Sequence, residues 1–136
     1  MLILGIDWHK RGCVAGRGVL IDYLSWAEKQ GIKYHPWSKH CVSVKDLEEV
    51  AKEQNVVFKP GDILLVRTGM VKVYNDAAPE EKDRLSQESH HFSGVEGSEA
   101  SVSWIWNNHF AAVAGDAIGF EAWPPNPAWS EYCQHL

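Results

Sequence analysis

Gly61-Asp62-Ile63-Leu64-Leu65-Val66-Arg67-Thr68-Gly69 runs from an apolar stretch straight into charge and glycine. Apolar residues fill an interior while polar ones need solvent or a ligand, so the run reads as a buried strand ending at a functional rim. Pro60-Gly61 makes the turn into it. On the C-terminal side, Ala114-Gly115-Asp116-Ala117-Ile118-Gly119-Phe120-Glu121-Ala122-Trp123-Pro124 repeats the pattern, with Phe110 to Ala114 as the strand before it. Upstream, Gly16-Arg17-Gly18 leads into Val19-Leu20-Ile21-Asp22-Tyr23, an apolar β-branched run with Asp22 at its end.

Helical patterns separate these strands. Ser43 to Asn55 is the clearest: Ser43 can cap it with Asp46 three residues on, and Val44, Leu47, Val50 and Ala51 form one apolar face. Ser25 to Gln30 reads as a short helix stopped by Gly31. Lys33 to His40, with Pro36 and no periodicity, reads as a loop. Pro79-Glu80-Glu81 begins a helical turn in the polar stretch Asp76 to Ser89, and Ser98 to His109 reads as a further helix. Pro124, Pro125 and Pro127 break the chain before a helix-like segment, Ala128 to Leu136, that stops without a cap, as a truncated chain would. Strands alternating with helices imply an α/β fold: a mixed buried sheet with flanking helices, with residues 1–136 forming one domain or part of one.

The bulk numbers narrow the function classes. With 136 residues, 45% of them hydrophobic, and seven Trp, the chain can bury a real core. A net charge of -5 and the lack of a basic stripe argue against nucleic acid as a partner. Cys13, Cys41 and Cys133 are odd in number and far apart, which suits reduced thiols in the cytoplasm. Met1 to Ile6 is apolar for too few residues to be a signal sequence or to span a membrane, so no membrane role is expected.

Several candidate chemistries compete with plainer readings. Gly12 to Gly18 resembles a dinucleotide loop, but its glycines precede a strand rather than follow one, so backbone turning is the better reading. His9 and Cys13 could share a helix face and bind Zn²⁺ as a pair, yet two ligands are too few. His90 and His91 point apart on a helix or a strand, and His35, His40 and Cys41 sit in a loop without a carboxylate cluster. Asp116 and Glu121, beyond an apolar strand, could bind a metal or act as a base. The plainer alternative has Asp116 bonding to turn amides and Glu121 pairing with an arginine such as Arg67. Trp104 and Trp106 belong to an aromatic C-terminal third that serves mainly as core, though one or two rings could line a ligand pocket. Arg67, Trp104 and Asp116 are therefore the candidate substrate-pocket residues. No Ser-His-Asp order, GxSxG or Walker loop is present, and the adjacency of Cys133 and His135 does not by itself support a catalytic pair.

The block Gly16 to Tyr23, the run ending at Gly69 and the segment Ala114 to Pro124 occur in the order and spacing of the cyclase family, and the chain resembles its longer fungal members in particular. Gly94 to Glu99, followed by Trp104-Ile105-Trp106, also fits that subgroup. The family comprises metal-dependent hydrolases that include bacterial kynurenine formamidase. The resemblance implies a swivelling β/β/α domain, often oligomeric, in which Zn²⁺ or Mn²⁺ activates water against an amide, ester or lactone. The family's N-terminal metal motif, HxGTHxDxPxH, does not occur here. A further family histidine would fall near Tyr132 to Leu136, with Cys133 and His135 as alternatives for that one metal-ligand position, and its partner glutamate would lie past Leu136.

Two functions follow as expectations. One is an arylformamidase-like hydrolase of a small amide, formamide or lactone, in tryptophan or kynurenine-type catabolism, working through metal-activated water as part of a homo-oligomer. The other is an inactive fragment that serves as a ligand-binding or oligomerisation module, because missing elements would leave apolar faces uncovered.

Overall fold

A computed structural model describes residues 15–126. The segment Ala128 to Leu136, with Cys133 and His135, lies outside the described residues, as do His9 and Cys13. Strand β1 (Gly18–Asp22) feeds directly into helix α1 (Tyr23–Gln30), which ends where Gly31 takes the left-handed conformation at φ 72°. A loop leads to the short β2 (Cys41–Val42) and then to α2 (Val44–Glu53). Ser43 caps α2 as expected: its hydroxyl accepts from the Asp46 N–H, and the Asp46 carboxylate accepts from the Ser43 N–H at 2.9 Å. The quoted run forms β3 (Ile63–Arg67). Then come α3 (Met70–Asp76), α4 (Pro79–Glu88), β4 (Gly94–Val95), α5 (Glu99–Asn107) and β5 (Ala112–Gly115).

Strands β1, β3 and β5 make one sheet in that order, and every pairing in it is parallel. Parallel neighbours need crossover connections, and the helices between the strands provide them. The register sets Leu20 beside Leu65 and Leu65 beside Ala114, and places Asp22 opposite Arg67. Strands β2 and β4 pair in a second small parallel sheet. Among the described residues, the antiparallel component expected of a mixed sheet is confined to a bridge between Phe92 and Trp123, next to a parallel bridge from Val95 to Glu121.

Alternation along the strands decides what is buried. Val19, Ile21, Leu64 and Val66 are buried on one face, and Ile21, Leu64 and Val66 pack with Trp26 and Ala27 of α1, Leu47, Val50 and Ala51 of α2, and Val42 and Val95 of the small sheet. Burying a side chain of this kind stabilises by about 1.5–3 kcal/mol relative to leaving it exposed. Residues of opposite parity face away: Leu20 is 51% exposed and Ala114 is exposed. The three-stranded sheet is thus covered by helices on one side and open on the other among the described residues. At its amino end, Arg17 grips Asp62 through two hydrogen bonds of 2.8 and 2.6 Å, fixing the start of β1 to the start of β3. No helix of the described residues is long and apolar enough to cross a membrane.

Candidate functional site

Because β1, β3 and β5 run parallel, their carboxyl ends share one edge, the usual place for a ligand in an open α/β sheet. Asp22, Arg67-Thr68-Gly69 and Gly115-Asp116 meet there. The Asp116 carboxylate accepts from the Thr68 N–H at 2.6 Å, the Thr68 hydroxyl at 3.0 Å and the Gly69 N–H at 2.8 Å. Three donors leave it about one of roughly four lone-pair positions. Asp116 is therefore a clamp that ties the end of β5 to the end of β3, the turn-amide role weighed in the sequence. Gly69 is needed at this bend. It sits at φ 93°, and a Cβ there would come within 2.8 Å of Leu24.

The ion pair expected between Arg67 and Glu121 does not form. Arg67 Nη1 instead donates to both oxygens of Asp22, at 2.9 and 2.8 Å. Parallel register explains the choice, since Asp22 and Arg67 are Cα partners at the ends of neighbouring strands. Asp22 also caps α1, accepting from the Ser25 N–H at 3.1 Å. Burial pushes the Asp22 carboxyl up, but hydrogen bonds from Ser25 and Arg67 outweigh it and hold the group below the ordinary carboxylate value.

Beside this edge, on the open face of the sheet, lies a cavity of about 470 Å³. Leu20, Leu65 and Val71 supply apolar walls, while Arg67, Lys72 and Asp116 supply polar groups. A second hollow of about 270 Å³ shares Val71 and Asp116 and is lined by Trp37, Met70, Tyr74, Ala117 and Ile118. Apolar walls with a few convergent polar groups suit a small organic ligand carrying a polar function. Arg67 and Asp116 thus line the same cavity.

Trp104 does not join them. Its indole N–H donates to Glu48 of α2 at 3.0 Å, and its ring meets Phe58 edge-on with centroids 5.4 Å apart. Helix α5 packs toward α2, on the helical side of the sheet, so Trp104 belongs to the core. Trp106, 77% exposed, lines a separate groove with Val102, Ile105, His109 and Phe110. Lys72, Val71 and Met70 were missed because Met70 to Asp76 carries no side-chain cap to announce a helix. Trp37 and Tyr74, whose rings stack at 6.2 Å, come from segments far apart in sequence, so no local pattern links them.

The metal implied by the resemblance needs several converging ligands. Among the described residues no group of three or more His, Cys, Asp or Glu could hold one. The carboxylate nearest the cavity, Asp116, is already occupied by Thr68 and Gly69. The described residues do not fit a metal site.

The family model described as "Putative cyclase" matches residues 6–122. The chain belongs to the cyclase family. A solved structure of a novel cyclase resembles it with a TM-score of 0.65 and 30% sequence identity, over 80% of this chain and 33% of that one. This cyclase therefore spans about a third of the length of that structure. No curated protein matches it.

Proposed function

We propose that this cyclase forms the pocket-bearing part of a hydrolase that opens a small amide, formamide or lactone, in the manner of an arylformamidase of tryptophan or kynurenine-type catabolism. The observation that carries this reading is the cavity at the carboxyl edge of β1, β3 and β5, with Arg67 and Asp116 on its rim. Water activation by Zn²⁺ or Mn²⁺ is the chemistry expected of such an enzyme, but the described residues do not assemble its ligands. The residues at hand hold and orient. Leu20, Leu65 and Val71 take the apolar body of the substrate and exclude water. Arg67, held by Asp22, offers a guanidinium to a carbonyl or carboxylate oxygen. Asp116 fixes the Thr68–Gly69 bend that frames the cavity.

The test is hydrolysis of a panel of aryl formamides, simple amides and lactones by the purified chain, with and without added Zn²⁺ or Mn²⁺. Turnover that falls at least about tenfold in R67A supports the reading. A folded protein that neither turns over nor binds any of the panel sinks it.

One observation favours the second reading, a binding or assembly module: the open apolar face of the sheet, with Leu20 51% exposed. Light scattering separates the two, since a homo-oligomer without turnover would favour assembly.

A further inference from the structure

A partly buried aromatic cluster lies behind the rim, built from α1 and the loop before β2. Tyr23 opens α1 and is 1% exposed; its hydroxyl meets His40 Nε2 at 2.7 Å. The Tyr23 hydroxyl has no second partner among the described residues. The arrangement that satisfies both groups has Tyr23 donating and a neutral His40 accepting, with the ring proton on Nδ1. The Tyr34 ring stacks on His40 with centroids 4.3 Å apart and planes at 14°. The Tyr34 hydroxyl donates to the Thr68 carbonyl at 2.7 Å, and the Thr68 N–H in turn donates to Asp116. His40, Tyr34, Thr68 and Asp116 thus form one physical chain from the loop to the cavity.

We propose that the His40–Tyr23–Tyr34 cluster is an acid-sensitive latch, through which protonation of His40 loosens the Asp116 clamp on the pocket rim. Protonation puts a hydrogen on both ring nitrogens, so two donors face each other across the Tyr23–His40 contact. Tyr23 must then turn its proton away from His40, where no other acceptor lies among the described residues. The groups around His40 set the balance. Helix α1 brings Tyr23, the loop brings Tyr34, α2 brings the Asp46 carboxylate, and β4 brings the Gly94 N–H, which donates to the His40 carbonyl at 3.1 Å. Burial pushes His40 below its ordinary value and outweighs Asp46, which favours the charge. Tyr23 is pushed up to about 12, by burial and then by Asp46, and Tyr34 is also raised, chiefly by burial, so both phenols stay neutral. With the folded histidine depressed, the stability held above the ordinary value of 6.5 is lost as pH falls through it toward the folded value. The loop then loses its grip on α1, and Tyr34 leaves Thr68.

The experiment is a titration of the full chain from pH 8 to 5, following histidine ring signals and amide hydrogen exchange corrected for its intrinsic pH dependence. His40 should titrate below 6.5, and the Thr68 and Gly69 amides should lose protection by about tenfold as it does. In H40Q that loss should vanish. In Y34F, which keeps the stack but removes the hydrogen bond to Thr68, His40 should still titrate low while Thr68 and Gly69 no longer respond to pH. Unchanged protection while His40 titrates in the wild-type protein, or the same acid response in Y34F, would overturn the proposal.

Discussion

Asp116 carries three donors at the end of β5, and an alanine in its place leaves the Thr68 and Gly69 N–H groups without their acceptor. Leaving such groups unsatisfied costs about 1–3 kcal/mol. D116A should therefore lose about 2 kcal/mol in urea unfolding, with binding weakened only through the displaced rim. Asp22 and Arg67 form a pair but are not equivalent. Asp22 also caps α1, so D22A removes a cap worth about 1 kcal/mol together with the pair, whereas R67A removes the pair and a long contact to Ser25 but leaves the cap. Urea midpoints should place D22A below R67A, and the reverse order would mean that leaving Asp22 without Arg67 costs more than losing the cap. Sequence made the position of Asp22 at a strand end legible, but not its partner. Glu121 was an equally charged candidate for Arg67, and only the parallel register puts Asp22 alongside.

Elements with their own chemical punctuation could be read from the chain, and those without it could not. Ser43 with Asp46, Gly31 after Gln30, and Pro79 at the first turn each mark a helix end, and α2, α1 and α4 stand where those marks lie. Helix α3 begins at Gly69 with no side-chain cap, its Val71 and Val73 do not favour a helix, and of its residues only Met70 is buried, so no local pattern announces it. Strands β2 and β4 are two residues each, too short for alternation to show. Of the candidate pocket, Arg67 and Asp116 were visible because both end apolar runs. Trp104 was misplaced because an aromatic on a helix gives no sign of which side of the sheet it will cover. The cap and the bend give one test at this scale. S43A should lose about 1 kcal/mol through its capping box. G69A, which must hold φ 93° with its Cβ 2.8 Å from Leu24, should lose more. Parallel thermal melts rank the two.

The whole molecule should respond to acid in two stages. Asp62 is held below the ordinary carboxylate value by the hydrogen bond from Arg17, and Asp22 by Ser25 and Arg67 against its burial. Depressed carboxylates contribute stability above their ordinary value of 3.8 that is lost as pH falls through the folded values. His40 acts earlier, from about 6.5 downward. Urea unfolding at stepped pH should show a first loss below neutrality, absent in H40Q, and a second below about pH 4 that H40Q retains. The open sheet face gives a further expectation at this scale. If it mediates association, L20D should lower the mass seen by light scattering while leaving α1 and α2 intact by circular dichroism.

The sheet also dictates when this chain can fold. Gly18 pairs with Ile63, and Ile63 with Ala112, so each ladder closes a long loop and no strand finds its neighbour next door in sequence. Such non-local pairing slows folding toward the millisecond-to-second range. Central β3 gains its second neighbour only when β5 has left the ribosome. Until then the nascent chain carries the β3 edge that β5 later pairs without its partner, which opens that edge to mispairing during synthesis.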